Sequence, residues 1–365
     1  MAYKMIQVGT GGRGRAWCER ILPPNIDDGL IEIVAAVDVN RDVLVNAETL
    51  LGLPAEKCYT DLKRAFDENE ADFCTIVVPP AYHEDIVDMA LAHNMHILSE
   101  KPIADTLLAS CRIAGKVERA GVKMAVTMSH RFDQDKTTLR KAVKSGRYGI
   151  VDYLVMRFTC DMRERGDWGA AFRHEMVDPL MIEGAVHHLD ILADMGGANC
   201  HTIYAQTWNP NWGEYGGDSQ ALVTMQLENG ARAFYEGAKT NAVGFNGWGN
   251  EYLRAECELA TLIMDHREVE RFDHDGNVRS VQTLHGEGET VPLLEQRKWK
   301  DAWLVETFVE WLDGGEPMET HVEANLQSVA MIFAAIQSCR TGGPVEVQGL
   351  LSEVQVQAEK ELSYL

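Results

Sequence analysis

The sequence predicts two domains: an α/β domain built on a parallel sheet, followed by an α+β domain with a large, mostly antiparallel, open sheet. Up to about residue 127, short apolar runs alternate with amphipathic stretches of helical length, which is typical of successive βαβ units. Beyond residue 149, apolar residues recur with the period of two expected of half-buried strands. We therefore expect one domain over residues 1–127 and a second over residues 128–365.

Each βαβ unit of the first domain is bounded by turn-forming residues. Gly, Pro, Asn and Asp separate the apolar runs from the amphipathic stretches. Because a helix-length segment follows each run, we expect the strands to be parallel. The predicted strands are 4–8, 31–37, 73–78, 95–98 and 123–127, and the predicted helices lie near 12–22, 41–51, 60–69, 82–93 and 104–120.

Hairpin turns organise the second domain. Asn229-Gly230 separates strand-like runs at 218–227 and 232–238, which is the strongest short-range signal of a hairpin. Asp275-Gly276 predicts a second turn of this type inside 267–283. The remaining predictions are a strand at 151–159, helices near 133–145, 179–195, 302–312 and 322–340, and a helix stop at Gly342-Gly343-Pro344.

Composition excludes several classes of partner. The 365 residues include 34 Lys and Arg against 56 Asp and Glu, a formal net charge of −22. Such a surface repels a nucleic-acid backbone and an anionic membrane. No apolar stretch reaches the roughly 20 residues that cross a bilayer, and the cysteines form no C-x-x-C pair. We expect a cytoplasmic protein without a signal peptide or membrane helix.

A glycine-rich loop follows the first predicted strand. Gly9-Thr10-Gly11-Gly12-Arg13-Gly14 has the spacing G-x-G-x-x-G between a strand and a helix. In this motif the first glycine makes the tight turn, the second lets a pyrophosphate approach the backbone, and the third lets helix and strand pack closely. Free N–H groups at the helix start then hold the phosphates. The loop predicts a Rossmann dinucleotide-binding domain.

The end of the second strand indicates which dinucleotide is bound. Asp38 stands near the spacing of about 20 residues expected for the carboxylate that binds the adenosine ribose. A carboxylate there repels a 2′-phosphate, so NAD is the predicted cofactor. Arg41 keeps NADP open, because a nearby guanidinium can accommodate that phosphate.

Two further motifs follow predicted strands. Pro79 and His83 come after the third, and Glu100-Lys101-Pro102 comes after the fourth. With the glycine loop, the Glu-Lys-Pro triplet resembles the Gfo/Idh/MocA family of NAD(P)-dependent sugar and polyol oxidoreductases. The resemblance continues at 128–132, 144–149 and 183–190. It implies that Pro79 and Glu100 line the nicotinamide ribose region of the cofactor site, that His83 lies nearby in that site, and that Lys101 faces both the cofactor and the reacting substrate. The alternative for His83 is a helix-start residue without a ligand.

One predicted helix presents a histidine and two carboxylates on one face. Glu183, His187 and Asp190 stand at i, i+4 and i+7, whereas His188 points about 100° around the helix. A carboxylate can orient the imidazole, whose unperturbed pKa of about 6.5 suits proton transfer near neutrality. The resemblance implies that Lys101, the first carboxylate and His187 form the catalytic group. Glu183 replaces the Asp that is usual in the family.

Aromatic and charged side chains before and after this helix predict a carbohydrate site. An aromatic face covers the C–H surface of a sugar, and polar side chains meet its hydroxyls. The residues predicted to contact substrate are Arg131, Arg163, Trp168, His188 and Trp212. The resemblance also implies a homodimer or homotetramer formed through the sheet of the second domain.

The sequence thus predicts NAD-dependent oxidation of a secondary hydroxyl of a sugar, polyol or glycoside, or the reverse ketone reduction. His187 would accept the hydroxyl proton and Lys101 would stabilise the alkoxide. No metal is predicted, because H-E-x-x-H is absent and hydride transfer needs none. Two alternatives stay open: a non-catalytic NAD(H) sensor and a metal-dependent hydrolase or lyase.

Overall fold

The computed structural model describes residues 2–167, 169, 171–274, 276 and 288–364. The chain forms two compact units, one comprising Met1–Ser129, Lys298–Val329 and Leu351–Leu365, the other His130–Arg297 and Ala330–Leu350. One sheet has six strands and the other has nine. The predicted fold class is confirmed. No helix in the described part of the chain combines the length and the apolar composition needed to cross a bilayer.

The first unit is built on a six-stranded sheet whose paired strands all run parallel, in the order β3-β2-β1-β4-β5-β6. The strands are β1 (Tyr3–Val8), β2 (Ile31–Val37), β3 (Cys58–Tyr59), β4 (Phe73–Ile76), β5 (His96–Ser99) and β6 (Met124–Val126). The helices between them are α1 (Arg13–Ala16), α2 (Pro23–Asp27), α3 (Val45–Leu50), α4 (Leu62–Asp67), α5 (His83–Ala92) and α6 (Leu107–Ala120). All five predicted strands occur. The two-residue β3 was missed because it is too short to show a periodic pattern.

The second unit contains the nine-stranded sheet, in the order β14-β13-β12-β11-β7-β10-β9-β8-β15. Its strands are β7 (Val151–Thr159), β8 (Cys200–Trp208), β9 (Gln220–Leu227), β10 (Arg232–Ala238), β11 (Tyr252–Cys257), β12 (Ala260–Asp265), β13 (Glu268–Asp273), β14 (Glu289–Thr290) and β15 (Val345–Glu346). β7 and β10 pair in parallel, and the other neighbouring pairs are antiparallel.

Turn chemistry explains the hairpins of this sheet. Gly230 has a φ of +89° and closes the predicted turn between β9 and β10. β12 and β13 are joined at His266 and Arg267, whose φ values are +47° and +71°, so non-glycine residues make a turn that the sequence pattern did not reveal. Asp275 of the second predicted turn lies outside the described residues.

The remaining helices are α7 (Gln134–Lys144), α8 (Phe172–Glu175), α9 (Val186–Gly196), α10 (Lys300–Leu312), α11 (Val322–Thr341) and α12 (Val347–Leu362). Gly342, with a φ of +73°, ends α11 as predicted. The sequence did not predict α12. Its packing partner is α6: a Cβ on Gly115 would lie 2.8 Å from Leu362 Cδ1, and Arg112 Nη1 pairs with Glu361 Oε2 at 2.9 Å.

Close packing positions α9, the helix of the predicted histidine, on the nine-stranded sheet. A Cβ on Gly196 would lie 2.2 Å from Leu227 Cδ1, so glycine allows this approach of α9 to β9 without a shift of the Leu227 side chain. Ten residues of α9, among them His187, His188 and Asp190, are buried. The helix is therefore a fixed platform for its polar side chains.

Candidate active site and cofactor-binding loop

Two glycines of the loop between β1 and α1 are required by the fold itself. Gly9 has a φ of +90°, and a Cβ on it would lie 2.1 Å from the carbonyl oxygen of Val77. A Cβ on Gly14 would lie 2.2 Å from the carbonyl oxygen of Gly9. These contacts are the tight turn and the close helix–strand packing that the motif predicts.

The middle of the same loop has room for a ligand. A Cβ on Gly11 would meet only ordinary contacts with Val43, the nearest at 3.4 Å, and a Cβ on Gly12 would meet nothing within 4 Å. Thr10, between these glycines and Gly9, is buried and donates its hydroxyl to the Val43 carbonyl at 3.1 Å. The open backbone at Gly11 and Gly12 fits the pyrophosphate of a dinucleotide.

Asp38 holds this loop from the end of β2. Its Oδ2 accepts hydrogen bonds from the backbone N–H groups of Thr10 (2.8 Å) and Gly11 (3.2 Å), and its Oδ1 accepts one from Asn40 N (3.0 Å). A carboxylate has about four acceptor positions, so capacity is left for ribose hydroxyls. The exposed side chain of Arg41 donates to the Cys58 carbonyl at 3.1 Å.

Glu100 and Arg13 connect the segment after β5 to the segment after the glycine loop. Glu100 Oε1 accepts from Arg13 Nε at 2.7 Å and from the Trp17 indole N–H at 2.9 Å, and Arg13 Nη2 also reaches Asp301 Oδ2 at 2.7 Å. Burial alone would raise the pKa of Glu100, but the charges of Arg13 and Lys101 lower it. Glu100 is therefore an ionised carboxylate that fixes the position of the next residue, Lys101, whose peptide bond to Pro102 is cis.

His83 connects two loops at the carboxyl ends of the parallel strands. It is fully buried at the start of α5, with Nε2 2.9 Å from the Val78 carbonyl and Nδ1 3.0 Å from the Ile103 carbonyl. Pro79, next to Val78, is exposed at the end of β4. The hydrogen bonds of His83 give it a structural role beside the cofactor loop.

A π-helical turn precedes the helix of the predicted histidine. Met181–Ala185 form this turn ahead of α9, so Glu183 does not belong to the regular α-helix that carries His187 and Asp190. Glu183 Oε2 accepts from Arg173 Nε at 3.1 Å. Residues at i and i+4 share a face only in a regular α-helix. The spacing of Glu183 and His187 therefore gave no sign that Glu183 pairs with Arg173.

Asp190 forms a buried two-point ion pair. Its Oδ1 and Oδ2 accept from Arg131 Nη2 at 2.7 Å and Nε at 2.8 Å, and Arg131 Nη1 also lies 3.3 Å from Asp194 Oδ1. Burial would lower the pKa of Arg131, but the two carboxylates raise it. The pair ties the segment containing His130 and Arg131 to α9, beside His187.

Ring stacking holds His187 in place. Its imidazole is 3% exposed and stacks on that of His130, with ring centroids 4.2 Å apart and planes at 33°. The indole of Trp248 also contacts the His187 imidazole, with ring centroids 5.7 Å apart and planes at 73°. Neither His130 nor Trp248 was predicted from the sequence, although an aromatic residue between Gly247 and Gly249 is a signal of a loop that presents a side chain.

A buried charge network lies behind this stack. Glu251 Oε1 is 3.2 Å from His130 Nε2 and 3.7 Å from His188 Nε2, and Glu251 Oε2 is 2.9 Å from Lys136 Nζ. His188 Nδ1 also forms a hydrogen bond with the Tyr235 hydroxyl at 2.9 Å. Burial lowers the pKa of His130 to about 4 and also lowers that of His188. Burial would raise the pKa of Glu251, but Lys136 and His130 lower it well below its usual range.

The same network has the donor set of a metal site. One ligand atom each from His130, His188 and Glu251 lie within 4.8 Å of one another. Burial would lower the pKa of Lys136, but Glu251 and Asp135 raise it, so the ammonium stays charged. Because that ammonium already balances Glu251, a divalent cation there would meet a fixed positive charge. The arrangement is therefore better described as an ion-pair network.

The residues predicted to contact substrate differ in burial and in hydrogen-bond partners. Arg131 and His188 are buried in the contacts given above. Arg163 pairs with Asp161 at 2.6 Å and donates to the Asn241 carbonyl at 3.0 Å. Trp212 is 57% exposed and donates its indole N–H to the Thr240 carbonyl at 2.8 Å. Trp168 lies outside the described residues.

Comparison with known proteins identifies both domains. Residues 4–128 match the family described as "Oxidoreductase family, NAD-binding Rossmann fold", and residues 140–347 match "Oxidoreductase family, C-terminal alpha/beta domain". The protein y4oX of Sinorhizobium fredii is 53% identical over 362 residues, covering 99% of this chain and 100% of that protein. Scyllo-inositol 2-dehydrogenase (NAD(+)) of Bacillus subtilis is 26% identical over 304 residues, covering 81% of this chain and 83% of that enzyme.

The fold is also found among solved structures. An oxidoreductase from Agrobacterium radiobacter, solved in complex with NAD+, L-tartaric acid and magnesium, superposes with a TM-score of 0.80 at 19% identity. The superposition covers 96% of this chain and 100% of that one. The predicted NAD-binding domain is confirmed by the family match over residues 4–128.

Proposed function

Because the chain belongs to the Gfo/Idh/MocA family of oxidoreductases, whose first domain binds NAD, we propose that it oxidises a secondary hydroxyl of a sugar, polyol or glycoside, or reduces the corresponding ketone. The observation that carries this proposal is that one chain combines an open glycine loop beside Glu100-Lys101 with a firmly held imidazole, His187. The similarity to a dehydrogenase named for scyllo-inositol supports a polyol as substrate.

The cofactor would be held by the glycine loop of residues 9–14, with Asp38 at the adenosine ribose. When bound, NAD supplies the hydride acceptor for oxidation, and NADH supplies the donor for reduction. Glu100 holds Lys101 in place through its own hydrogen bonds with Arg13 and Trp17. The glycine loop, Asp38 and Glu100 thus bind the cofactor and orient Lys101, and other side chains transfer the proton.

His187 would take the proton of the hydroxyl that is oxidised. In its neutral form an imidazole nitrogen accepts this proton, and the stacked ring of His130 keeps it directed. The Lys101 ammonium would hydrogen-bond the oxygen and stabilise its developing negative charge. Asp190 and Glu183 would act as positioning residues, since their carboxylates bind Arg131 and Arg173. Ketone reduction uses the same groups in reverse.

The test is NADH formation over a panel of sugars, inositols and glycosides. We expect turnover with at least one member, and we expect Lys101→Met and His187→Asn to lower it by at least about 100-fold, the lower range for a proton-transfer group. Both variants should still bind NADH. His201→Asn changes an exposed histidine and is the control that should keep full activity. Tight NADH binding without any turnover would favour the sensor instead, and wild-type rates in both variants would overturn these roles.

We also infer that the open face of the nine-stranded sheet binds a second copy of the chain. By register, Tyr153, Tyr204 and Leu222 point to the same face, where they are 36%, 36% and 38% exposed. Large apolar side chains exposed on one face of a sheet are typical of a subunit interface. Leu222→Lys should reduce the mass measured by light scattering, and an unchanged mass would exclude this face.

A further inference from the structure

The loop between β10 and β11, residues 239–251, brings an exposed tryptophan to the histidines of α9. Trp248 is 40% exposed, whereas His187 and His130 are 3% and 6% exposed. The indole lies edge-on to His130, with centroids 4.4 Å apart and planes at 74°, and 5.7 Å from His187. Phe158 supports it from the sheet, at 5.6 Å and 81°. Trp248 is thus the exposed member of the aromatic cluster that contains His187.

The loop fixes Trp248 from both sides. The buried side chain of Asn246 accepts from Arg157 Nε at 2.7 Å and donates to Asp265 Oδ1 at 2.8 Å. After Trp248, Gly249 has a φ of +86° and donates its N–H to the buried carboxylate of Glu251 at 3.0 Å. An aromatic side chain that is already ordered loses little conformational entropy when a ligand covers it. The loop therefore presents a preformed apolar surface.

We propose that Trp248 is a specificity-determining residue, which packs against the C–H face of a ring-shaped polyol or pyranose while His187 takes the hydroxyl proton. This inference rests on the proposed function. A substrate whose hydroxyl lies within hydrogen-bond reach of His187 has its own ring close to Trp248, because the His187 and Trp248 rings are only 5.7 Å apart. A cyclic polyol has a continuous C–H face that matches an indole, whereas a linear polyol with equally many hydroxyls has none. Trp248 therefore selects cyclic over linear substrates.

The experiment compares myo-inositol with mannitol, which both carry six hydroxyls, in the wild type and in Trp248→Leu and Trp248→Phe. One aromatic stack corresponds to about tenfold in affinity. We expect Trp248→Leu to raise KM about five- to tenfold for the cyclic compound and less than about twofold for the linear one. Trp248→Phe should retain most of the discrimination. Phe245→Leu, at a 65% exposed position of the same loop, is the matched control.

A binding measurement separates this inference from the proposed function. Calorimetric titration of myo-inositol into the NADH-bound protein reports recognition without turnover. Weaker binding in Trp248→Leu, with its melting temperature unchanged, supports the packing of the ring on Trp248 even if the panel yields no NADH, a result that would overturn only the proton transfer to His187. Equal cyclic-to-linear ratios and equal dissociation constants in wild type and Trp248→Leu would overturn the inference. A change of oligomeric mass in that variant with the ratios unchanged would overturn it as well, because Trp248 would then be a subunit contact.

Discussion

The replacement of Gly11 by alanine separates folding of the glycine loop from cofactor binding. A Cβ at this position finds Val43 at 3.4 Å, an ordinary contact, and Gly11 has no left-handed φ. The gain from restricting the unfolded chain is about 0.4–1 kcal/mol, so the melting temperature should stay within about 4 °C of the wild type. We expect the added methyl group instead to crowd the backbone that a pyrophosphate approaches at this position of the motif. Losing one hydrogen bond to that charged group costs about 1.5–3 kcal/mol, which weakens NADH binding about 10- to 150-fold.

Thermal unfolding without ligand and fluorescence titration with NADH measure the two quantities separately. Gly14→Ala is the matched control, because its Cβ would lie 2.2 Å from the Gly9 carbonyl oxygen. That variant should lose much of its thermal stability, and its NADH binding should fall as a consequence. Wild-type NADH affinity in a folded Gly11→Ala protein would show that no pyrophosphate lies against this residue. A large drop in its melting temperature would show that the space beside Val43 is not available.

Three further predictions concern the buried network and the choice of cofactor. The pKa of His130 is lowered from 6.5 to about 4, so between these pH values the unfolded state binds more protons than the folded state. The protein should therefore lose about 3 kcal/mol of stability as the pH falls through that window. Urea unfolding measured against pH should show a smaller loss in His130→Phe. Lys136→Met leaves Glu251 without its partner at 2.9 Å and should cost about 3–5 kcal/mol in urea unfolding, whereas adding Glu251→Gln should recover part of the loss. Asp38→Asn keeps an acceptor for the loop but removes a charge. Against a 2′-phosphate of charge about −2, at about 5 Å in water, that charge is worth about 1.7 kcal/mol, so the ratio of NADP to NAD affinity should rise about tenfold or more. An unchanged ratio would contradict the role of Asp38.

Five of the six strands of the parallel sheet could be predicted from sequence because their signals are local. Each of these five strands is a short, mainly apolar run, and the glycine motif specifies its own turn, as Gly9 and Gly14 show. Asp38 was found by its spacing alone. Its hydrogen bonds to Thr10 and Gly11 were not, because they join residues that are distant in the chain.

The histidine site could be predicted only in part. Periodicity located the helix of His187, but it assumed a regular α-helix and missed the π-helical turn that contains Glu183. His130 comes from one segment and Trp248 and Glu251 from another, and only the fold brings the two segments together. A sequence shows which residue types are present, but it does not show which buried charged side chains contact one another. Consequently it found the proposed acid–base group and missed the residues that hold it.

The balance of charge behind His187 suggests why the network is built in this way. Among the described residues around Lys136, the carboxylates of Asp133, Asp135 and Glu251 lie 3.9, 3.5 and 2.9 Å from its ammonium. Arg267 Nη2 is the second cation, 3.0 Å from Asp133 Oδ1. With neutral imidazoles, this group has one negative charge in excess. If His187 accepts the hydroxyl proton as proposed, the ring of His130 would stand between the new positive charge and this group, and we expect the negative excess to stabilise that charge.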